Sequence, residues 1–138
     1  MEYTNVHIGA VVGQLAMLLR QLKTGDISEK EYNNATSYNL SRMTAFSRYH
    51  VVNILELALD RGLVVRVERE HRPDVRKYCY HVTVKGLEFI QSLKDQGKYQ
   101  SSLMAIRYNH FLKAKNSVTE VEYNYFEYIL QQKREGKI

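Results

Sequence analysis

Across residues 36–86 the apolar pattern changes character, and this change constrains the fold more than any other feature of the chain. In the first half, Val51, Ile54, Leu55 and Ala58 recur at helical spacing and define one buried helix face. In the second half, Leu63-Val64-Val65-Arg66-Val67 is a β-branched apolar run, and Tyr78, Tyr80 and Val82 alternate with Cys79 and His81. Just ahead of the helical face, Ser41 is small enough for a helix crossing, Ala45 is small enough for a tight turn, and Phe46 supplies an apolar plug. Ser47 can cap the following helix by accepting a backbone N–H bond, and Thr36 can cap the preceding one. Asp60-Arg61-Gly62 ends the second helix, with Gly62 in the left-handed conformation that follows many helix ends. Residues 69–76, which hold the only proline and three arginines, suit the tip of a hairpin, and Thr83 caps a further helix beginning near Val84. The stretch therefore reads as helix, turn, helix and a two-stranded wing.

Arg48, Tyr49, His50 and Asn53 lie off the buried face, in the first turns of the second helix. That is where a recognition helix presents side chains to the major groove of DNA. Arg48 is the leading candidate for a base or phosphate contact, and Asn53 can pair bidentately with adenine or bond a phosphate. Tyr49 and His50 either reach DNA or pack on a neighbouring helix. The formal net charge of +5 is unevenly spread. Residues 40–86 carry nine Arg and Lys against five Asp and Glu, residues 1–39 three against four, and residues 87–138 eight against six. The excess lies on the element expected to read DNA, where it adds sequence-independent affinity for phosphates.

The order Gly62-Leu63-Val64-x-Arg66, then Asp74-x-Arg76, then Val82-Thr83-x-x-Gly86 resembles the MarR family of winged-helix transcription regulators. The ending Tyr80-His81-Val82-Thr83-Val84-Lys85-Gly86 is equally similar to PadR-type regulators. The resemblance covers the middle third to half of the chain. It implies that Arg76 enters the minor groove, that Asp74 orients it, and that Arg72 and Lys77 meet phosphates. The fold class it implies is mainly α with a small β-wing, a winged helix-turn-helix followed by carboxy-terminal dimerisation helices. On this plan residues 1–97 form the DNA-binding domain, and residues 98–138 form a helical dimerisation extension packed on the same domain.

Outside the central stretch, residues 6–22 carry Ile8, Val11, Val12, Leu15, Leu18, Leu19 and Leu22 on one helical stripe, with Gly9 and Gly13 placed for a close helix approach. Ser28-x-x-Glu31 is a capping box that opens a short helix. The segment 24–36 has no other clear shape. Residues 85–94 continue as a helix, Gln96-Gly97-Lys98 is a break, and Leu103, Ile106, His110, Phe111 and Leu112 lie on another helix. After a second capping box, Ser117-x-x-Glu120, the residues Val118, Val121, Tyr125, Tyr128 and Ile129 form an apolar-aromatic stripe. It reads as a homodimer interface, since large aromatics favour interfaces and two-fold partners are the rule for this mode of DNA recognition. The long helix that precedes the MarR core and shares in its dimer has only one counterpart here, so the carboxy-terminal pair carries most of the interface, as in the PadR layout.

The function this implies is a sequence-specific transcription regulator that binds double-stranded DNA as a homodimer. The alternative is an architectural or replication-associated winged helix, or one that binds other proteins. No phosphate-binding loop, nucleophile motif or carboxylate pair points to an enzyme. No cofactor is implied, and five scattered histidines with one cysteine give no metal-ligand set. The single Cys79 cannot form an internal disulfide and reads as a small half-buried strand residue in a cytoplasmic protein. No apolar run has bilayer-spanning length, and Glu2 argues against a signal peptide. The tyrosines either line an aromatic effector pocket or pack an interface. The sequence identifies neither a ligand nor an operator, nor whether regulation is positive or negative.

Overall fold

In a computed structural model the chain is described over residues 2–69, 77–117 and 132–136. Among the described residues, helices and strands run in the order α1 (Asn5–Thr24), α2 (Glu29–Tyr32), α3 (Ser37–Thr44), α4 (Arg48–Asp60), β1 (Val64–Glu68), β2 (Tyr78–Val82), α5 (Val84–Asp95) and α6 (Tyr99–Ser117). The fold is mainly helical with one small antiparallel sheet, arranged as a winged helix-turn-helix.

The first helix is the hub. Ile8, Val11, Val12 and Leu15 are fully buried, and α3, α4, α5, α6 and β2 all pack around them. Gly9 and Gly13 bring α6 close. A β-carbon at Gly9 would stand 2.6 Å from a Leu93 methyl and 2.7 Å from Ser102 Oγ, and one at Gly13 would overlap the Tyr99 hydroxyl. Ser102, itself buried, donates its hydroxyl to the Val6 carbonyl across this contact at 2.8 Å.

The helix starts expected at Ser28, Thr36, Ser47 and Thr83 are all present. Ser28 Oγ accepts from the Glu31 N–H, Thr36 Oγ1 from Asn39, Ser47 Oγ from His50 and Thr83 Oγ1 from Gly86. At the end of α4 the Gly62 N–H reaches the Leu59 carbonyl and the Leu63 N–H reaches Ala58, while Gly62 adopts a φ of 71°. These two bonds satisfy carbonyls that the helix end would otherwise orphan. The four core positions expected on α4, Val51, Ile54, Leu55 and Ala58, are buried.

Strands β1 and β2 pair from Val64↔Val82 to Glu68↔Tyr78. The segment 33–36, which has no clear shape in the sequence, owes its shape to this sheet. The Ala35 carbonyl accepts from the Tyr80 N–H at 2.9 Å, so the linker lies along the free edge of β2. Tyr32 then stacks on His81 with ring centroids 4.2 Å apart and planes within 6°. Together they close the second face of β2, and Cys79 is 1% exposed, buried outright where the alternation predicts a half-buried residue.

Thr83 and Gly86 tie the wing to α5. Thr83 Oγ1 donates to the Gly62 carbonyl at 2.6 Å while accepting from Gly86. A β-carbon at Gly86 would collide with the Leu63 carbonyl oxygen and lie 2.7 Å from a Val82 methyl. The threonine-x-x-glycine spacing is therefore a packing requirement at the crossing of α5 and β1.

Candidate nucleic-acid interface

The turn between α3 and α4 sets the direction of α4. Ala45 takes a left-handed conformation, φ 59°, which costs a residue with a β-carbon about 1–2 kcal/mol. Surrounding bonds hold it there. Ser41 Oγ donates to the Phe46 carbonyl at 2.7 Å, and Thr44 Oγ1 donates to Leu40 while accepting from the Phe46 N–H. From α6, Asn109 Nδ2 donates to the Thr44 carbonyl and His110 Nε2 to the Met43 carbonyl. α6 thus satisfies carbonyls at the end of α3 that its own backbone cannot.

Of the expected reading residues, the structure brings Arg48, Tyr49, His50 and Asn53 together in the first turn and a half of α4. Arg48 is exposed and Tyr49 is 72% exposed, a large exposure for a tyrosine beside fully buried Val51. Asn53 is half-buried next to buried Ile54. His50 is half-buried, with its Nδ1 2.6 Å from the Tyr3 hydroxyl. Val52 is also exposed on this helix. On α3, Arg42 is exposed with its guanidinium 5.9 Å from the ring of exposed Tyr38. The surface carries the donors that phosphates and purine edges accept.

Lys77 sits at the root of the wing. Its ammonium lies 3.6 Å from Glu68 and 5.4 Å from the Tyr78 ring. Arg66 is placed similarly, 3.7 Å from Glu56 of α4 and 4.6 Å from the Tyr78 ring centre. These pairs are solvent-exposed and contribute little stability, about 1 kcal/mol or less each. Lys77 can therefore exchange its partner for a phosphate at small cost, whereas Arg66 is also held by the Tyr80 hydroxyl. Arg72, Asp74 and Arg76 lie outside the described residues, as do Val118, Val121, Tyr125, Tyr128 and Ile129.

No family model matches this sequence. No curated protein matches it significantly. Among solved structures, it is similar to a crystal structure described as that of a MarR family transcription regulator, at 20% identity over 83% of this chain and 76% of that one, with a TM-score of 0.43.

Tyr3 has no counterpart in the sequence argument. It precedes α1 and sits 47 positions from His50, so no spacing rule joins them. Its ring meets His50 and His7 edge-on at 5.8 and 5.9 Å, and His7 in turn lies 6.1 Å from the Phe46 plug. Tyr3 and His7 thereby touch the bend at Phe46 and the first turn of α4 at His50.

Elsewhere, burial pushes the Cys79 thiol up against the opposing pull of Arg69, and burial pulls the His81 imidazole down against a backbone hydrogen bond at Tyr32. The cysteine is held as a thiol, the poorly nucleophilic form. A cleft of about 420 Å³ between α1, α5 and α6 is lined by Met17, Leu87, Ile90 and Tyr99 with Arg20 and Lys94 among its polar groups. Among the described residues, no group of three or more His, Cys, Asp or Glu could hold a metal ion, and no helix is long and apolar enough to cross a membrane.

Proposed function

We propose that the chain is a non-enzymatic, sequence-specific DNA-binding transcription regulator acting as a homodimer, with α4 in the major groove and the wing in the adjacent minor groove. The observation that carries this reading is the first turn of α4. Arg48 and Tyr49 stand exposed beside a fully buried core face, on a helix aimed by a capped helix-turn-helix bend. The excess of positive charge over residues 40–86 supports it, since binding to phosphates supplies sequence-independent affinity. The stripe Val118, Val121, Tyr125, Tyr128 and Ile129 supports the dimer, as does the exposure of Tyr108 and Leu112 on α6 in the single chain.

Selection of bound sequences from a random duplex pool tests the reading. A regulator enriches a two-fold symmetric site with half-sites about one helical turn, roughly 34–36 Å, apart. An architectural protein enriches nothing yet binds with a steep salt dependence, and a protein-binding winged helix does neither.

A further inference from the structure

We infer that Tyr3 is a positioning residue of the recognition surface, whose hydroxyl fixes the His50 imidazole with its proton on Nε2 and so makes it a donor-only reader of a major-groove acceptor. The inference rests on the DNA-binding reading above.

The contact between Tyr3 Oη and His50 Nδ1 is 2.6 Å, short for a hydrogen bond. A neutral imidazole carries one proton, so Nδ1 either accepts from the phenol or donates to it. Donation by Nδ1 would place the proton on a phenolic oxygen whose lone pair is drawn into the ring. It would also leave the Tyr3 hydroxyl proton without a protein acceptor, because His50 is the one hydrogen-bond partner of Tyr3 among the described residues. Donation by the phenol satisfies both groups. The edge-on packing of Tyr3 against His50 and His7 holds the phenol in place, and Ser47 capping the His50 N–H fixes the backbone beneath it. With Nδ1 engaged, the single proton resides on Nε2, which makes no hydrogen bond among the described residues.

A donor of fixed polarity reads an acceptor. In the major groove purines present N7, guanine adds O6 and thymine presents O4, whereas cytosine presents only its amino donor. The base facing His50 is therefore any but cytosine. Without Tyr3 the ring could place its proton on either nitrogen, and the exclusion would weaken.

Two measurements on the full chain test this. In long-range proton–nitrogen spectra of ¹⁵N-labelled protein, at a pH where the ring is neutral, His50 should show an unprotonated Nδ1 and a protonated Nε2. Tyr3→Phe should convert it to a mixture of tautomers while the melting transition stays cooperative. A proton on Nδ1 in the natural protein, or an unchanged tautomer in Tyr3→Phe, overturns the inference. In selection from a random duplex pool, the natural protein should exclude cytosine at one position of each half-site. His50→Gln, whose carboxamide can turn its oxygen to a donor as readily as its N–H to an acceptor, should relax that exclusion. His50→Asn and Tyr3→Phe should weaken it, by roughly three- to tenfold. If Tyr3→Phe selects the same sites with the same stringency, this inference alone fails. If the natural protein enriches no sequence, the DNA-reading proposal fails and takes the role of His50 with it, whatever the tautomer.

Discussion

At Gly86 one hydrogen atom decides whether the wing can meet α5. A β-carbon there has a backbone carbonyl, that of Leu63, in its path, and a carbonyl cannot rotate aside as a side chain can. Gly86→Ala is expected to destabilise the protein by about 2–3 kcal/mol or more in urea denaturation; an unchanged midpoint would show that β1 and α5 part without cost. His81 is the residue whose burial sets a pH dependence. Its folded pKa lies below the ordinary value because burial disfavours the charged ring. The unfolded chain therefore binds the proton first as pH falls, and stability is lost from the unfolded pKa, about 6.5, downward. His81→Phe keeps an aromatic ring against Tyr32 and removes the proton site, so denaturation midpoints measured between neutral and mildly acid pH should slope less than in the natural protein. Parallel slopes would assign the acid sensitivity to other groups.

Two elements carry the function proposed for the chain, and they should fail differently. In α4, Arg48→Ala or Asn53→Ala should cost about 1–3 kcal/mol on a selected site, with much less loss on random duplex, if the side chain reads a base. Equal losses on both would make it a phosphate contact. On the wing, Arg76→Ala should weaken selected and random duplex by similar factors and lower the salt slope by about one; full affinity at moderate salt would remove the wing from the mechanism. The bend ahead of α4 has its own signature. Ala45 is held at positive φ by the bonds of Ser41 and Thr44 and by α6. Ala45→Gly trades relief of that strain against a floppier unfolded chain and a lost buried methyl, and should stay within about 1 kcal/mol of the natural protein. Ala45→Val places a β-branched residue where it is least tolerated and should cost about 2 kcal/mol or more in thermal denaturation. A valine variant as stable as the glycine variant would show that the bend relaxes out of the left-handed region.

The whole molecule is organised around α1, which α6 grips through Gly9, Gly13 and Ser102 while α6 also caps the end of α3. Truncation of the chain before Ser117, which removes residues 117–138, leaves these contacts in place. The shortened protein should therefore fold, yet run as a monomer or aggregate, and bind a selected site far more weakly, since each half-site contributes its own binding energy. Light scattering in the absence of DNA checks this: a full-length monomer at micromolar concentration would refute the homodimer and the symmetric site with it.

Local chemistry was enough to place α1 to α6, four of their caps and the two strands. Ser28, Thr36, Ser47 and Thr83 satisfy backbone donors within three residues of themselves, and the stripes on α1 and α4 repeat with the pitch of the helix, so short-range order in the sequence carries this information. The Gly9 and Gly13 approach was legible because only a missing side chain lets backbones come so near, though the partner helix was not. What the tertiary structure alone decided are the contacts between distant positions. Ala35 lies along β2, Tyr32 covers Cys79 and stacks on His81, and Tyr3 meets His50 across 47 residues. No periodicity joins such pairs, because they become neighbours only after α1 has gathered the other elements around it.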